Sequence, residues 1–165
     1  MDYIPGTFNN VVKKDFRVVG DFPMGMGTRA HFIAMAVTTM SPMQMIPDAP
    51  SDYEREPDCA KFLLSIPTTW DETRVFDAKM GDYIVMGRRS GKDWYVAATT
   101  DWTARDFTLD FSFLPEGTFT LQLIEDGINA DIRAIDYKMK TVKVTNSTKL
   151  KIHLAPGGGW VGKIK

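Results

Sequence analysis

The hydrophobic periodicity of this chain changes at residues 66–77, where the sequence reads Ile-Pro-Thr-Thr-Trp-Asp-Glu-Thr-Arg-Val-Phe-Asp. Before this stretch lies a methionine-rich segment whose apolar residues are compatible with helices. After it, apolar and polar residues alternate in short runs to the C-terminus, which is typical of β-strands with one buried face. We therefore expect two structural units, at residues 1–70 and 71–165, of which the first is too short to stand alone.

The second unit is predicted to be an antiparallel β-sandwich, which makes the chain mainly β. Between residues 107 and 113, apolar side chains alternate with Thr108, Asp110 and Ser112, so one face of that strand is expected to be solvated. About eight strands with hairpin turns between them are the usual pattern of a sandwich or a barrel. The predicted strands are Arg74–Lys79, Tyr83–Arg89, Trp94–Thr100, Asp106–Phe113, Thr118–Glu125, Tyr137–Thr145, Leu150–Leu154 and Trp160–Ile164.

The first unit is predicted to be helical. Thr28 is a plausible N-cap for a helix that runs from Arg29 to about Thr39. A second short helix is expected over residues 59–65, after a proline-containing stretch. The first helix has a wide apolar stripe, yet the residues before 70 do not clearly supply a sheet that it could cover.

Composition excludes some classes of function. The chain has 165 residues and a formal net charge of −1, with basic and acidic residues interspersed, so no basic surface is expected to hold nucleic acid. Cys59 is the single cysteine, so an intrachain disulfide is impossible. We expect Cys59 to be a small buried side chain. The sequence has no targeting signal at its start and no apolar run near the roughly 20 residues of a membrane span.

Two adjacent carboxylates, Asp71 and Glu72, are the first candidates for acid–base chemistry. Glycoside hydrolysis uses two carboxyl groups that face each other across the scissile bond. Neighbours on a strand point to opposite faces, so these two residues make a poor cooperating pair. We expect them to form hydrogen bonds or ion pairs at the junction of the two units instead.

Other candidates are more scattered. Asp2 and Tyr3 stand where a strand could end before Pro5-Gly6, and are candidates for lining a substrate pocket in a parent barrel; a surface or turn role is the alternative. His31 and His153 lack ligand spacing to each other or to the cysteine, so no metal site is predicted from them. The glycine-rich run at residues 156–160 is predicted to be a tight turn before the last strand rather than a phosphate-binding loop.

Aromatic side chains raise an alternative function. Those of the sandwich are candidates for a carbohydrate-stacking platform, although aromatic residues on strands usually belong to the core. Trp102, in a turn between Asp101 and Arg105, is the best exposed candidate. The platform would be drawn from Trp70, Trp94, Trp102, Trp160, Tyr83 and Tyr95.

The chain also resembles a known family over nearly its whole length, least well at residues 7–20. Eight blocks, in order, look like the C-terminal end of glycoside hydrolase family 97. The most specific are Pro-Thr-Thr-Trp-Asp-Glu-Thr, within the fourth block, and Ala-Pro-Gly-Gly-Gly-Trp, within the last. The blocks are residues 1–6, 27–31, 41–45, 67–75, 81–85, 93–96, 126–131 and 154–160.

This resemblance implies a C-terminal part of an α-glucosidase or α-galactosidase from polysaccharide-degrading bacteria. Residues 1–70 would then be the C-terminal remnant of a catalytic (β/α)8 barrel, and residues 71–165 a β-sandwich that helps subunits associate. The family's catalytic carboxylates and calcium ligands lie upstream of the first block, so neither is assigned here. The fragment alone is expected to be inactive, calcium is implied only for the intact enzyme, and the intact enzyme is expected to be periplasmic or secreted.

The resemblance also implies partners and an exposed surface. The remainder of the barrel, a second copy of the chain and an α-linked oligosaccharide substrate are the expected partners. Because the strands that cover the first helix would belong to the missing barrel, Phe32, Ile33 and Val37 are expected to be exposed in this chain, together with the neighbouring methionines.

Overall fold

The fold is described by a computed structural model that covers residue 4 and residues 7–165. An antiparallel sheet of six strands forms its centre. Helices cover one face of this sheet, and a two-stranded antiparallel sheet covers the other. No helix in the described part of the chain is long and apolar enough to cross a membrane.

The strands and helices are listed here in chain order. The strands are β1 (Asn10–Val11), β2 (Gly25–Met26), β3 (Glu72–Lys79), β4 (Tyr83–Ser90), β5 (Asp93–Thr100), β6 (Arg105–Asp110), β7 (Phe119–Asp126), β8 (Tyr137–Val144), β9 (Lys149–Leu154) and β10 (Gly159–Ile164). The helices are α1 (Arg29–Thr38), α2 (Pro50–Glu54) and α3 (Pro57–Leu64), and a single 3-10 turn spans Lys13–Asp15.

The large sheet has the strand order β3-β4-β5-β10-β7-β8, so the last strand of the chain lies in its middle. β10 is antiparallel to both β5 and β7. β6 and β9 leave this sheet and pair with each other to form the second layer. The prediction of a mainly β fold with an antiparallel sandwich of about eight strands is confirmed.

The core of the sandwich lies between the large sheet and the β6–β9 pair. Trp160 and Phe111 are fully buried at its centre, and Trp94 is 6% exposed. On β6, Leu109 is buried whereas the neighbouring residue Thr108 is exposed. The predicted alternation of a buried and a solvated face is therefore confirmed for this strand.

The helical layer packs on the opposite face of the same sheet. Phe32 is 2% exposed, and Ile33 and Val37 are completely buried, so the prediction that this stripe is exposed was wrong. Tyr95 of β5 and Val161 of β10 supply part of the covering surface. The physical reason is that the central strands carry apolar side chains on both faces, as in sheets that are covered on both sides. The neighbouring methionines Met40, Met43 and Met45 are exposed, as expected.

The local signals for α1 are confirmed. Thr28 caps the helix, since its hydroxyl accepts a hydrogen bond from the backbone N–H of His31 at 3.1 Å. The helix predicted over 59–65 begins slightly earlier, at Pro57, a residue type suited to the first helical turn. The short helix α2 and the parallel bridge between β1 and β2 were not predicted.

Candidate functional site

The residues proposed to line a substrate pocket are not placed by the structure. Asp2 and Tyr3 both lie outside the described residues. Their role as pocket neighbours stays a prediction.

The adjacent carboxylates at the start of β3 are ion-paired. Asp71 accepts a hydrogen bond from the backbone N–H of Gly91 at 2.7 Å and lies 3.6 Å from Arg89. Glu72 accepts from Arg74 at 2.6 Å and from Arg89 at 3.2 Å. Hydrogen bonds from these two arginines, Arg74 first, lower the pKa of Glu72. The expected role in ion pairing is confirmed, and a carboxyl held in its charged form is poorly suited to act as a general acid.

A groove of about 960 Å³ lies between β3 and β6. Its acidic side chains have other partners. Asp77 accepts from the Tyr83 hydroxyl at 3.2 Å, and Asp106 lies 2.7 Å from the ring of His153. The backbone N–H of Ser112, followed by its side chain, lowers the pKa of Asp110. Each of these three carboxyl groups is therefore engaged by a partner within the chain.

One carboxyl, Asp126 at the end of β7, does have a raised pKa. Burial raises the pKa of Asp126 to about 6, against the hydrogen bonds it accepts. Its Oδ2 accepts from the backbone N–H of Ala155 at 2.9 Å and of Gly159 at 3.0 Å. A Cβ atom on Gly158 would lie 2.1 Å from this oxygen. Its Oδ2 is thus held by the loop that it organises, while the residue also lines an open groove of about 550 Å³ together with Lys138 and His153.

This glycine loop joins α1 to the sandwich. Gly157 has a φ of +67° and lies directly against the ring of Trp102. The carbonyl oxygen of Gly158 accepts a hydrogen bond from Nδ1 of His31 at 2.9 Å. A Cβ atom on Gly159 would lie 2.5 Å from the Cα of the same histidine. The prediction of a tight turn before the last strand is confirmed. Its close backbone contacts also explain why three successive residues without a side chain stand here.

A buried arginine at the start of α1 was not predicted. Arg29 is 2% exposed, and its Nε donates to the Asn10 side chain at 2.6 Å. The guanidinium also donates to the carbonyl of Phe8, lies 4.3 Å over the ring of the same residue, and pairs with Glu56 at 3.5 Å. It therefore holds the N-terminal segment, α1 and the start of α3 together.

The tryptophans do not form a carbohydrate-stacking platform. Trp94 and Trp160 belong to the sandwich core. Trp70 packs against Tyr95 on the helical side, with ring centroids 5.4 Å apart. Trp102 is 37% exposed but has the glycine loop against its ring. The exposed aromatic faces that sugar stacking needs are therefore not gathered on one surface.

The described residues offer neither a metal site nor a reactive thiol. No group of three or more His, Cys, Asp or Glu side chains among them is placed to hold a metal ion. Cys59 is fully buried, as predicted, and burial raises the pKa of its thiol to about 11. It is an inert core side chain.

Comparison with known proteins relates this chain to one family of enzymes. Residues 69–165 match the profile described as Glycosyl-hydrolase 97 C-terminal, oligomerisation. Over its whole length, this chain is 46% identical in sequence to a retaining alpha-galactosidase from Bacteroides thetaiotaomicron. The aligned region makes up 25% of that protein.

Solved structures agree with this relationship. A glycoside hydrolase family 97 enzyme from Pseudoalteromonas sp. strain K8, solved with acarbose, matches 84% of this chain and 22% of its own, at 33% identity and a TM-score of 0.79. A beta-arabinopyranosidase matches 95% of this chain and 24% of its own, at 26% identity and a TM-score of 0.72. The chain spans about a quarter of the length of these relatives. It belongs to glycoside hydrolase family 97, and residues 69–165 are the C-terminal domain of that family.

Proposed function

We propose that this chain is the C-terminal part of an α-glycosidase, and that its own role is to associate copies of the enzyme and to support the catalytic barrel. The observation that carries this proposal is the alignment of the whole chain with one quarter of a retaining alpha-galactosidase. The name of the matching profile, which includes oligomerisation, supports the structural role.

The reaction of the intact enzyme would be hydrolysis of an α-galactosidic or α-glucosidic bond, for which we favour the galactosidic bond because of the 46% identity. Protonation of the leaving oxygen and attack at the anomeric carbon need two facing carboxyl groups. Those groups would belong to the barrel upstream of this chain. Residues 1–70 would be the remnant of that barrel, and residues 71–165 the association domain.

The other proposals concern the intact enzyme and rest on its family. Its partners would be the remainder of the barrel and an α-linked oligosaccharide. A calcium ion would be bound by barrel residues, and the enzyme would work in the periplasm or outside the cell.

Two measurements on the purified chain test this function. Light scattering after size exclusion is expected to give a mass above that of one chain, and an aryl α-galactoside is expected to remain intact. A monomer at every concentration would overturn the association role. Hydrolysis that is lost in Asp71→Asn or Glu72→Gln would overturn the claim that the catalytic groups lie elsewhere.

A further inference from the structure

Within the described residues, the six-stranded sheet has two edges, β3 and β8, and each pairs with one neighbour. An edge strand presents unpaired N–H and C=O groups that can accept a strand from another molecule. On β8 the side chains of Lys138, Lys140 and Lys143 are all exposed. Lysines on an edge are a common protection against pairing, because a second copy would bring like charges together.

The β3 edge differs in carrying both signs of charge around an exposed apolar centre. It is eight residues long, and after Glu72 every residue of the strand is exposed. Val75 is 57% exposed and Phe76 is 39% exposed at its middle. A long edge strand with exposed apolar residues is a template for further pairing.

The charges of β3 are ordered so that the strand complements itself. Glu72 and Arg74 precede the apolar centre at Val75-Phe76, and Asp77 and Lys79 follow it at the same spacings. In an antiparallel pair of two copies centred on that point, Glu72 would face Lys79 of the other copy. Arg74 would likewise face Asp77 of the other copy, and each pair would occur twice because of the two-fold symmetry. Opposite charges directly across two strands are stabilising.

A β-bulge puts these four charges on one face. The register of β3 on β4 shifts between Val75 and Asp77, so that Arg74 lies opposite Gly87 and Asp77 opposite Val85. Alternate residues of β4 share a face, and therefore so do the residues of β3 paired with them. Without the extra residue, the charged pair before the centre (Glu72 and Arg74) and the pair after it (Asp77 and Lys79) would point to opposite faces. In the symmetric pair Phe76, the extra residue of each copy, would lie opposite Val75 of the other copy.

We propose that β3 is the surface through which two copies of this chain associate, by antiparallel pairing centred between Val75 and Phe76. The two large sheets then become one continuous sheet across the two-fold axis. This inference rests on the proposed function, since it names the surface that carries the self-association. The occupant is a second copy because the charge order of the strand matches itself.

Charge reversal and its rescue test the register. Arg74→Asp or Asp77→Arg alone places like charges opposite each other and is expected to raise the dissociation constant of the dimer about 10-fold or more. The double variant restores opposite charges and is expected to recover tight association. Lys138→Glu on the other edge is the matched control and is expected to leave the dissociation constant unchanged. Sedimentation equilibrium gives the constants, and circular dichroism verifies that each variant is folded.

Engineered cysteines test the same register without depending on charge. Thr73 and Ala78 lie on one face of β3 and would oppose each other between copies, at a Cα separation of about 5 Å that suits a disulfide. Within one strand they are about 17 Å apart and cannot be bridged. The variant with Thr73→Cys and Ala78→Cys is expected to form covalent dimers on oxidation. The control with Thr73→Cys and Lys79→Cys, whose cysteines point to opposite faces, is expected not to.

The outcomes separate this inference from the proposed function. A chain that associates but is insensitive to the charge reversals and is not cross-linked at these cysteines would overturn the β3 surface alone. A wild-type chain that stays monomeric at all concentrations would overturn both. Weakening by each single reversal, recovery in the double variant and selective cross-linking would support both.

Discussion

The two faces of the six-stranded sheet are covered by different kinds of structure. One face packs against the β6–β9 pair around Trp160 and Phe111, and the other packs against α1 and α3 around Ile33 and Phe62. Both sets of side chains are almost completely buried. Helices α1 and α3 therefore form a layer on this sheet, and the glycine loop joins α1 to it.

The packing on both faces of the sheet limits where two copies of the chain can associate. An exposed apolar stripe on α1 would have been a candidate surface for self-association. The sheet of the same chain covers this stripe instead. With the centre of both faces covered, the outer strands of the sheet are more open to another molecule. These outer strands are β3 and β8.

The largest expected effect is at the centre of the sandwich face. Trp160→Ala removes a fully buried side chain and leaves a cavity, so we expect a loss of about 4–5 kcal/mol of unfolding free energy. Denaturant unfolding followed by circular dichroism measures this loss. Ile128→Ala, at a residue that is 82% exposed, is the control and should change stability by less than about 0.5 kcal/mol.

The equivalent change on the helical face should cost nearly as much. Ile33→Ala is expected to lower the unfolding free energy by about 3–4 kcal/mol, because the residue is fully buried against the sheet. Helix and strand signals should move together in one transition. Met40→Ala, at the exposed end of the same segment, is the control. Two separate transitions, with only the helical one shifted, would show that the faces are independent.

The junction between the faces can be loosened at the glycine loop. Gly159→Ala adds a Cβ 2.5 Å from the Cα and 2.7 Å from the backbone nitrogen of His31. Because backbone atoms cannot swing away as a flexible side chain does, we expect a loss of about 2–3 kcal/mol, measured by thermal or denaturant unfolding. Gly20→Ala, which has nothing within 4 Å of the added atom, is the matched control. Equal stability of the two variants would contradict the close contact.

The same junction should give a pH dependence. The pKa of Asp126 is about 6 in the folded chain, above its ordinary value of 3.8. Between these values the unfolded chain has released a proton that the folded chain still holds, so stability falls as the pH rises from about 4 to about 6. The expected loss is on the order of 2 kcal/mol. Unfolding free energies across this range should show the slope in the wild type and lack its Asp126 component in Asp126→Asn; identical slopes would contradict the burial of the carboxyl.

Much of the fold could be predicted because its signals are local. The predicted start of β4 at Tyr83 and the capping of α1 by Thr28 follow from alternation and from a side-chain hydrogen bond nearby in sequence. The covering of α1 could not be predicted so simply, since it depends on β10, more than a hundred residues later in the chain. The unbroken apolar run from Trp94 to Ala98 was the available signal, because strands buried on both faces lose their alternation.

The candidate sites also divide into those that depend on local signals and those that depend on residues distant in sequence. Ion pairing of Glu72 was predictable from its place on a strand, and the turn at residues 156–160 from its glycines. Arg29 was not, because an arginine in a helix usually lies at the surface and its partners Asn10 and Glu56 are brought to it only by the fold. The charge order of β3 is present in the sequence, but only the bulge reveals that its two halves share a face.

Hydrogen–deuterium exchange at several protein concentrations would detect association through β3, since pairing must protect the outward amides of this strand. We expect exchange in Glu72–Lys79 to slow as the concentration rises and the copies associate, while exchange in the other edge, Tyr137–Val144, stays the same. Exchange in β3 that is unchanged while the chain associates, or protection that arises in β8 instead, would contradict association through β3.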